Sequence, residues 1–327
     1  MRLCAALAAL AFLAAPARAS DFTTAAVGTT GSQFLTSGIG ARGIAMGGAY
    51  SATVNDATAL YWNPAGLVRV PRFSASLMYT EYVANINYQT AQIADRINDT
   101  SVLAGGLRYQ NIGSIPQTDL AGNSEGTFNP RDYVLDFGWA QTIDDMSTSN
   151  MDMAMGVAGH WIHSDYASSS ANGFGGDIGI LSHFYNGPFP YDFSFDAQNM
   201  GSGQKFDQVR NTLPFVAKFG ADAYPFENLI LAIEADLPSG DVPYGALGVE
   251  YAIPITDSMK AALRGGFNSQ DFTSLGLASC LTAGVGLTIG DFSFDYAFAP
   301  QGVLGEVHNV SLSYNLPAFA SQRYEER

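Results

Sequence analysis

Phe292-Ser-Phe-Asp-Tyr-Ala-Phe298 places Phe292, Phe294, Tyr296 and Phe298 on one side of an extended chain and Ser293, Asp295 and Ala297 on the other. Side chains alternate faces in a strand, so a segment with four aromatics on one face and small or charged residues on the other separates an oily medium from a polar one. The same alternation recurs outward from this point. Tyr133, Leu135, Phe137 and Trp139 alternate with Asp136 and Gly138, while Met259, Leu263 and Phe267 alternate with Lys260 and Arg264. Tyr191-Asp-Phe-Ser-Phe-Asp196 repeats the arrangement. A strand with lipid on one side and a polar lumen on the other has this pattern.

Read this way, the chain holds fourteen strands, at 72–82, 83–92, 100–110, 131–141, 151–164, 173–184, 190–199, 213–224, 228–237, 243–252, 258–267, 278–289, 291–299 and 307–316. The expected fold is all-β, a transmembrane antiparallel β-barrel of about 14 strands. Longer connections at 111–130, 200–212, 268–277 and 300–306 fall at one end, and short ones at 225–227, 253–257 and Gly290 at the other, as outer-membrane barrels divide them. Fourteen strands enclose more space than their own side chains fill, which leaves room for a channel or a plug. Trp139, Trp161, Tyr251 and Tyr314 are read as lipid-facing or girdle residues.

Composition agrees. With 35 Gly, 21 Phe, 16 Tyr and only 14% charged residues, the chain has the large aromatic and small packing positions of a β-rich protein. Arg2, the apolar run Leu3–Ala15 and the small-residue pattern Ala17-Arg18-Ala19 read as a cleavable secretory signal over residues 1–19. The mature chain then carries 13 basic against 30 acidic residues, a formal charge of −17, which excludes nucleic acid as a partner. It keeps Cys280 alone, so no intramolecular disulfide forms. No segment after the signal has the roughly 18 to 20 apolar residues of a membrane helix.

Residues 20–71 stand apart from the alternation. Gly40-Ala-Arg-Gly-Ile-Ala-Met-Gly-Gly48 leads through Asn55-Asp-Ala-Thr-Ala-Leu-Tyr-Trp62 to Asn63-Pro-Ala-Gly-Leu67. Asn55 or Asp56 is placed to cap a short helix through Tyr61-Trp62, and Pro64 forces Asn63 out of helical geometry. This segment closely resembles the N-terminal hatch of the PorV/PorQ family of outer-membrane proteins, a branch of the FadL-type long-chain fatty-acid transporters. One departure is Asn55-Asp56, where the family has paired acids. Gly173-Phe-Gly-Gly-Asp-Ile-Gly-Ile180, Ala197-Gln-Asn-Met-Gly201, Leu213-Pro214 and Val307-His-Asn-Val-Ser-Leu-Ser-Tyr314 extend the resemblance along the chain. It implies a hatch at 20–71 plugging a barrel at 72–316 and a place in the bacterial outer membrane; the tail at 317–327, which runs past the last strand where many barrels finish at an aromatic strand terminus, is a second departure.

Two function classes follow from the resemblance. The first is a conduit that binds or passes hydrophobic molecules, such as long-chain fatty acids, with outer-membrane lipid around it. The second is a PorV-like barrel that interacts with exported, secreted proteins in type IX-like secretion and surface attachment; a structural role without transport is the remaining alternative. Asn63, Pro64, Ala65 and Gly66 make a tight turn that seats the hatch and, on the transporter resemblance, gates the lumen. Arg108, Lys218, Lys260 and Arg264 face the lumen, where each either receives a ligand carboxylate or balances a neighbouring wall acid.

Enzyme readings are weaker. His160 and His163, at i and i+3 on a strand, point to opposite faces and do not make a metal pair. Glu234 with Asp236, and Asp192 with Asp196, share faces but are read as lumen acids. There is no Gly-x-Ser-x-Gly elbow, and Gly40–Gly48 lacks the Lys-Ser/Thr of a phosphate loop. No catalytic residue, metal or cofactor is expected.

Overall fold

The computed structural model describes residues 22–143, 151–185 and 187–317. The expected signal peptide, all but the first residue of the tail and most of the 142–150 connection lie outside the described residues. Fourteen antiparallel strands form one closed barrel. They are β1 (Phe73–Glu81), β2 (Asn87–Arg96), β3 (Ser101–Asn111), β6 (Arg131–Thr142), β7 (Met151–Tyr166), β8 (Ser169–Phe184), β9 (Tyr191–Gly201), β12 (Val216–Phe226), β13 (Leu229–Pro238), β14 (Tyr244–Thr256), β15 (Met259–Asn268), β16 (Leu281–Ile289), β17 (Phe292–Pro300) and β18 (Glu306–Leu316). Closure is made by β1 pairing β18, from Phe73 opposite Leu316 to Glu81 opposite His308. Two small hairpins, β4 (Ile115–Thr118) with β5 (Ser124–Phe128) and β10 (Lys205–Phe206) with β11 (Val209–Arg210), stand in the longer connections. No described helix is long and apolar enough to cross a membrane.

The period-two pattern maps onto the wall as expected. In β6, Leu135 and Phe137 are exposed on the outer face while Val134, Asp136, Gly138 and Ala140 are buried on the inner one. Four strand starts differ from the sequence reading by three residues or more, the eighth beginning at Val216 and not at 213. The second begins at Asn87 and not near 83, because Val83–Asn85 form a 3-10 turn with Ala84 and Asn85 at φ 59° and 61°, a conformation outside any ladder. The sixth begins at Ser169, since β7 and β8 run on together beyond the neighbouring strands to Tyr166 opposite Ser169. The twelfth begins at Leu281, because Leu277–Cys280 close a 3-10 turn.

Between β8 and β9 the register shifts around Asp177. There Asn199 takes φ 58°, and its amide donates to Asp177 Oδ1 at 2.7 Å. Asn tolerates this left-handed region better than most side chains, which suits it to a bulge.

Residues 24–72 run through the inside of the barrel. The segment begins among the loops, where Ser32 Oγ lies 2.8 Å from Gln204 Oε1 and the Gly31 amide donates to the Thr212 carbonyl at 2.9 Å. It ends at the opposite, turn end, where Phe73 starts β1. On the way it bonds to inward side chains on widely spaced strands, among them Ser311, Glu250, Glu234 and Ser194.

Inward glycines make the fit possible. At Gly106, Gly138, Gly156, Gly179, Gly220, Gly248, Gly266 and Gly284 an added Cβ would come within 2.0–3.1 Å of segment residues lying between Ala45 and Ala65. Small residues let two backbones approach closely. The large apolar side chains come from the segment: Met46, Tyr50, Val54, Leu60, Trp62 and Leu67 pack against wall alanines such as Ala94, Ala140, Ala158, Ala232 and Ala246. Tyr50 and Tyr61 both meet Trp62 edge-on, with ring centroids 5.6 and 5.1 Å away.

Candidate functional site

The turn at Asn63–Gly66 sits where the segment meets the wall most closely. Asp56 Oδ1 accepts from the Thr58 amide at 2.8 Å and leads into the helical turn Ala59–Trp62, while Asn55 instead accepts from Arg42 Nη1 at 2.8 Å. Ahead of Pro64, Asn63 is extended at φ −166°, ψ 109°, as the Pro steric rule requires. Its Oδ1 accepts from the Ala65 amide at 2.9 Å, and its Nδ2 lies 3.2 Å from the Ser51 carbonyl and 3.3 Å from that of Ile180 in the wall. Pro64 and Ala65 lie over Gly156, and Gly66 lies against Val54 with no room for a Cβ. All four residues are buried.

Two further anchors tie the segment to the wall by charge. Arg42 grips Glu250 bidentately, Nε to Oε2 at 2.7 Å and Nη2 to Oε1 at 2.8 Å. Burial alone would lower the Arg42 pKa, but Glu250 outweighs that and holds it well above its ordinary value. Arg69 donates to the Ala52 carbonyl and to Asp192 Oδ2, each at 2.5 Å. Its pKa is raised in the same way, with Asp192 overcoming burial. The backbone amides of Tyr50 and Ser51 add 3.2 and 2.9 Å bonds to Glu234 Oε2.

Of the four lumen cations, three are held by wall acids. Arg108 lies bidentate on Asp136 at 2.9 and 2.7 Å. Lys218 Nζ is 3.2 Å from Glu234 and 3.5 Å from Asp236. Arg264 bridges Glu250 at 2.5 Å and Asp295 at 2.6 Å. Lys260 is exposed near the turn end of β15. The structure does not gather these four into one place. His160 is buried between Asp136 and Asp177, 2.6 and 2.8 Å away, whereas His163 stacks on Trp161 on the outer face.

Cavities lie on both sides of the Trp62–Gly66 region. Toward the loops, two adjoining lobes of about 250 and 190 Å³ share Thr36, Tyr61, Lys218, Tyr244 and Gln270 in their linings. Toward the turns, a cavity of about 560 Å³ is bordered by Arg42, Asn55, Arg69, His183, Tyr185 and Ile230. Tyr61 lies beside the loop-end lobes, its hydroxyl donating to the Thr36 carbonyl at 3.0 Å. Burial, partly opposed by Lys218 and Arg108, pushes that hydroxyl up to about 12.

A family model described as "Type IX secretion system protein PorV" matches residues 20–223, which takes in the whole inner segment and the first half of the wall. The chain belongs to the PorV family. Among solved structures it is similar to the Ralstonia pickettii toluene transporter TbuX, with 14% identity, 85% of this chain and 98% of that chain covered, and a TM-score of 0.56. The Pseudomonas putida toluene transporter TodX gives 13% identity, 86% and 99% coverage and a TM-score of 0.56. A Pseudomonas aeruginosa FadL homologue gives 11%, 84%, 98% and 0.51. At these identities the likeness is one of fold. No curated protein matches the sequence. Barrel and family together make this PorV-family chain an outer-membrane protein.

Sequence reasoning located Asn63–Gly66 and the lumen cations but not their partners. Arg42, Arg69, Tyr244 and the row of inward glycines went unread as site residues. Alternation marks Glu234, Asp236 and Glu250 as inward, yet nothing in the sequence links Arg42 to an acid 208 residues away.

Proposed function

We propose that this barrel binds small hydrophobic molecules and passes them across the outer membrane, with residues 20–71 acting as its hatch and Asn63–Gly66 as the gate. The observation that carries the reading is the pair of cavities on opposite sides of the segment that occupies the lumen. A solute held at the loop end meets Tyr61 and Trp62, and must shift the Asn63–Gly66 turn off Gly156 and Gly179 to reach the cavity at the turn end. The similarity in fold to toluene transporters supports a hydrophobic cargo. Arg108 and Arg264 are engaged with wall acids, so a fatty-acid carboxylate would have to displace Asp136, Glu250 or Asp295 to reach them. Lys218 borders the loop-end cavity, and Lys260 lies open at the turn end.

The test is mass spectrometry of organic extracts from the gently purified barrel, beside an unrelated barrel and a variant with Asn63→Ala and Pro64→Ala. A lipid or other apolar molecule enriched in the native protein and lost in the variant is expected; equal content in all three overturns the reading. The family description favours a second reading, contact with exported proteins, for which the hairpin β4–β5 and its fully exposed Leu120 offer a surface at the loop end. Cross-linking from this hairpin to a secreted protein would select it.

A further inference from the structure

Among the described residues, Asp196 is the one carboxylate with both oxygens buried and without a hydrogen-bond partner, and it is 0% exposed. Opposite it on β8 is Gly179, over which Asn63 Oδ1 is seated, so Asp196 stands in the wall beside the Asn63–Gly66 turn. Three neighbouring side chains carry N–H donors, and with the turn seated each is committed elsewhere. Asn63 Nδ2 faces the Ser51 and Ile180 carbonyls at 3.2 and 3.3 Å. Gln198, two positions along the same face of β9, directs its Nε2 to the Tyr61 and Trp62 carbonyls of the inner segment at 2.6 and 3.2 Å. Lys218 lies across the ladder from Asp196, yet its Nζ is 3.2 Å from Glu234, 3.5 Å from Asp236 and 5.3 Å from the Trp62 ring. The charges that act on Asp196 are two acids, Asp177 and Glu234, against that one base. A carboxyl group taken out of water without a bond raises the free energy of the state that buries it, whether it carries a charge or a proton.

We propose that Asp196 sets how readily the inner segment lets go of the wall. Seated, the Asn63–Gly66 turn leaves the carboxyl group unmet. When the turn lifts, the Gln198 amide is freed from the Tyr61 and Trp62 carbonyls and donates to Asp196, and water enters beside it. The seated state is weakened selectively, so the gate opens while the strands around it keep their ladder. This rests on the passage reading, because it takes Asn63–Gly66 as the gate.

Hydrogen exchange of peptides covering 45–67 in the full-length purified barrel tests this through the sign of the effect. Truncating a buried wall residue that merely packs loosens its neighbours and speeds their exchange. Asp196→Ala is instead expected to slow exchange of these peptides about tenfold, a difference of about 1.4 kcal/mol in opening. Asp196→Val, which puts hydrocarbon in place of the carboxyl group and suits a strand, should shift exchange the same way and serves where the Ala variant does not fold. Gln198→Ala should speed exchange more in the Asp196→Ala background than in the native one, because only the native chain has an open state in which Gln198 bonds Asp196. Exchange at the native rate or faster in the variant that folds overturns the role of Asp196, as does failure of both variants to fold. Equal acceleration by Gln198→Ala in the two backgrounds overturns the transfer of its amide. None of these results decides whether anything passes the hatch, which the extract experiment tests separately.

Discussion

Gly179 and Asn63 provide a sharp test of how the inner segment is seated. A methyl group on Gly179 would lie 2.0 Å from Asn63 Oδ1, where real Cβ atoms essentially never come closer than 3.0 Å. Gly179→Ala must therefore push the Asn63 side chain out of its place. That side chain makes three bonds, to the Ala65 amide and to the Ser51 and Ile180 carbonyls. At about 1 kcal/mol net each, losing them costs about 3 kcal/mol. Asn63→Ala loses the same three bonds and should cost about the same, but it also vacates the space that the new methyl needs. The double variant should then cost about 3 kcal/mol and not about 6, a coupling of about 3 kcal/mol. Hydrogen exchange of peptides covering 45–67 in the folded barrel reads the opening free energy of this segment directly. Additive costs, within about 0.5 kcal/mol, would refute the claim that Asn63 is held in place by the missing side chain at 179.

The electrostatic anchors should differ in a stated order. Arg264→Met strips a shared cation from Glu250 and Asp295 and should lower urea stability by about 3–5 kcal/mol, whereas Arg42→Met leaves Glu250 with Arg264 and should cost about 2 kcal/mol; the reverse order contradicts the assignment. Gly156→Val sets a Cβ 2.2 Å from the Pro64 backbone carbon, so limited proteolysis should newly cut near residues 63–66 while the barrel survives, and an unchanged digest would count against the close contact. Because the Tyr61 hydroxyl is held neutral up to about 12, against 10 in the unfolded chain, its contribution to stability is present below pH 10 and lost as pH rises from 10 to 12. The alkaline absorbance difference between the native protein and Tyr61→Phe checks this, and a Tyr61 midpoint near 10 would remove the burial argument.

The wall was legible from the sequence because period-two alternation is local: Phe292–Phe298 and Tyr133–Ala140 declare both faces without help from any other strand. So was the extended conformation of Asn63, which Pro64 imposes through a clash with its immediate neighbour. Strand starts were less secure where a turn conformation interrupts the pattern, as at Ala84 and Asn85.

Tertiary structure decided what the inward residues do. Alternation set Arg108, Lys218, Lys260, Arg264, Asp136 and Asp295 on the inner face, but which charges meet depends on closing the sheet and on running residues 24–72 through its interior. Arg42 finds Glu250, and Gly179 is a glycine because of Asn63, 116 positions away in the chain. Alternation assigns a residue to a face; it carries no information about what occupies the space beyond that face. The pairing of Lys218 with Glu234 and Asp236 and the cavities either side of Trp62 therefore appear only once the barrel and its inner segment are folded together.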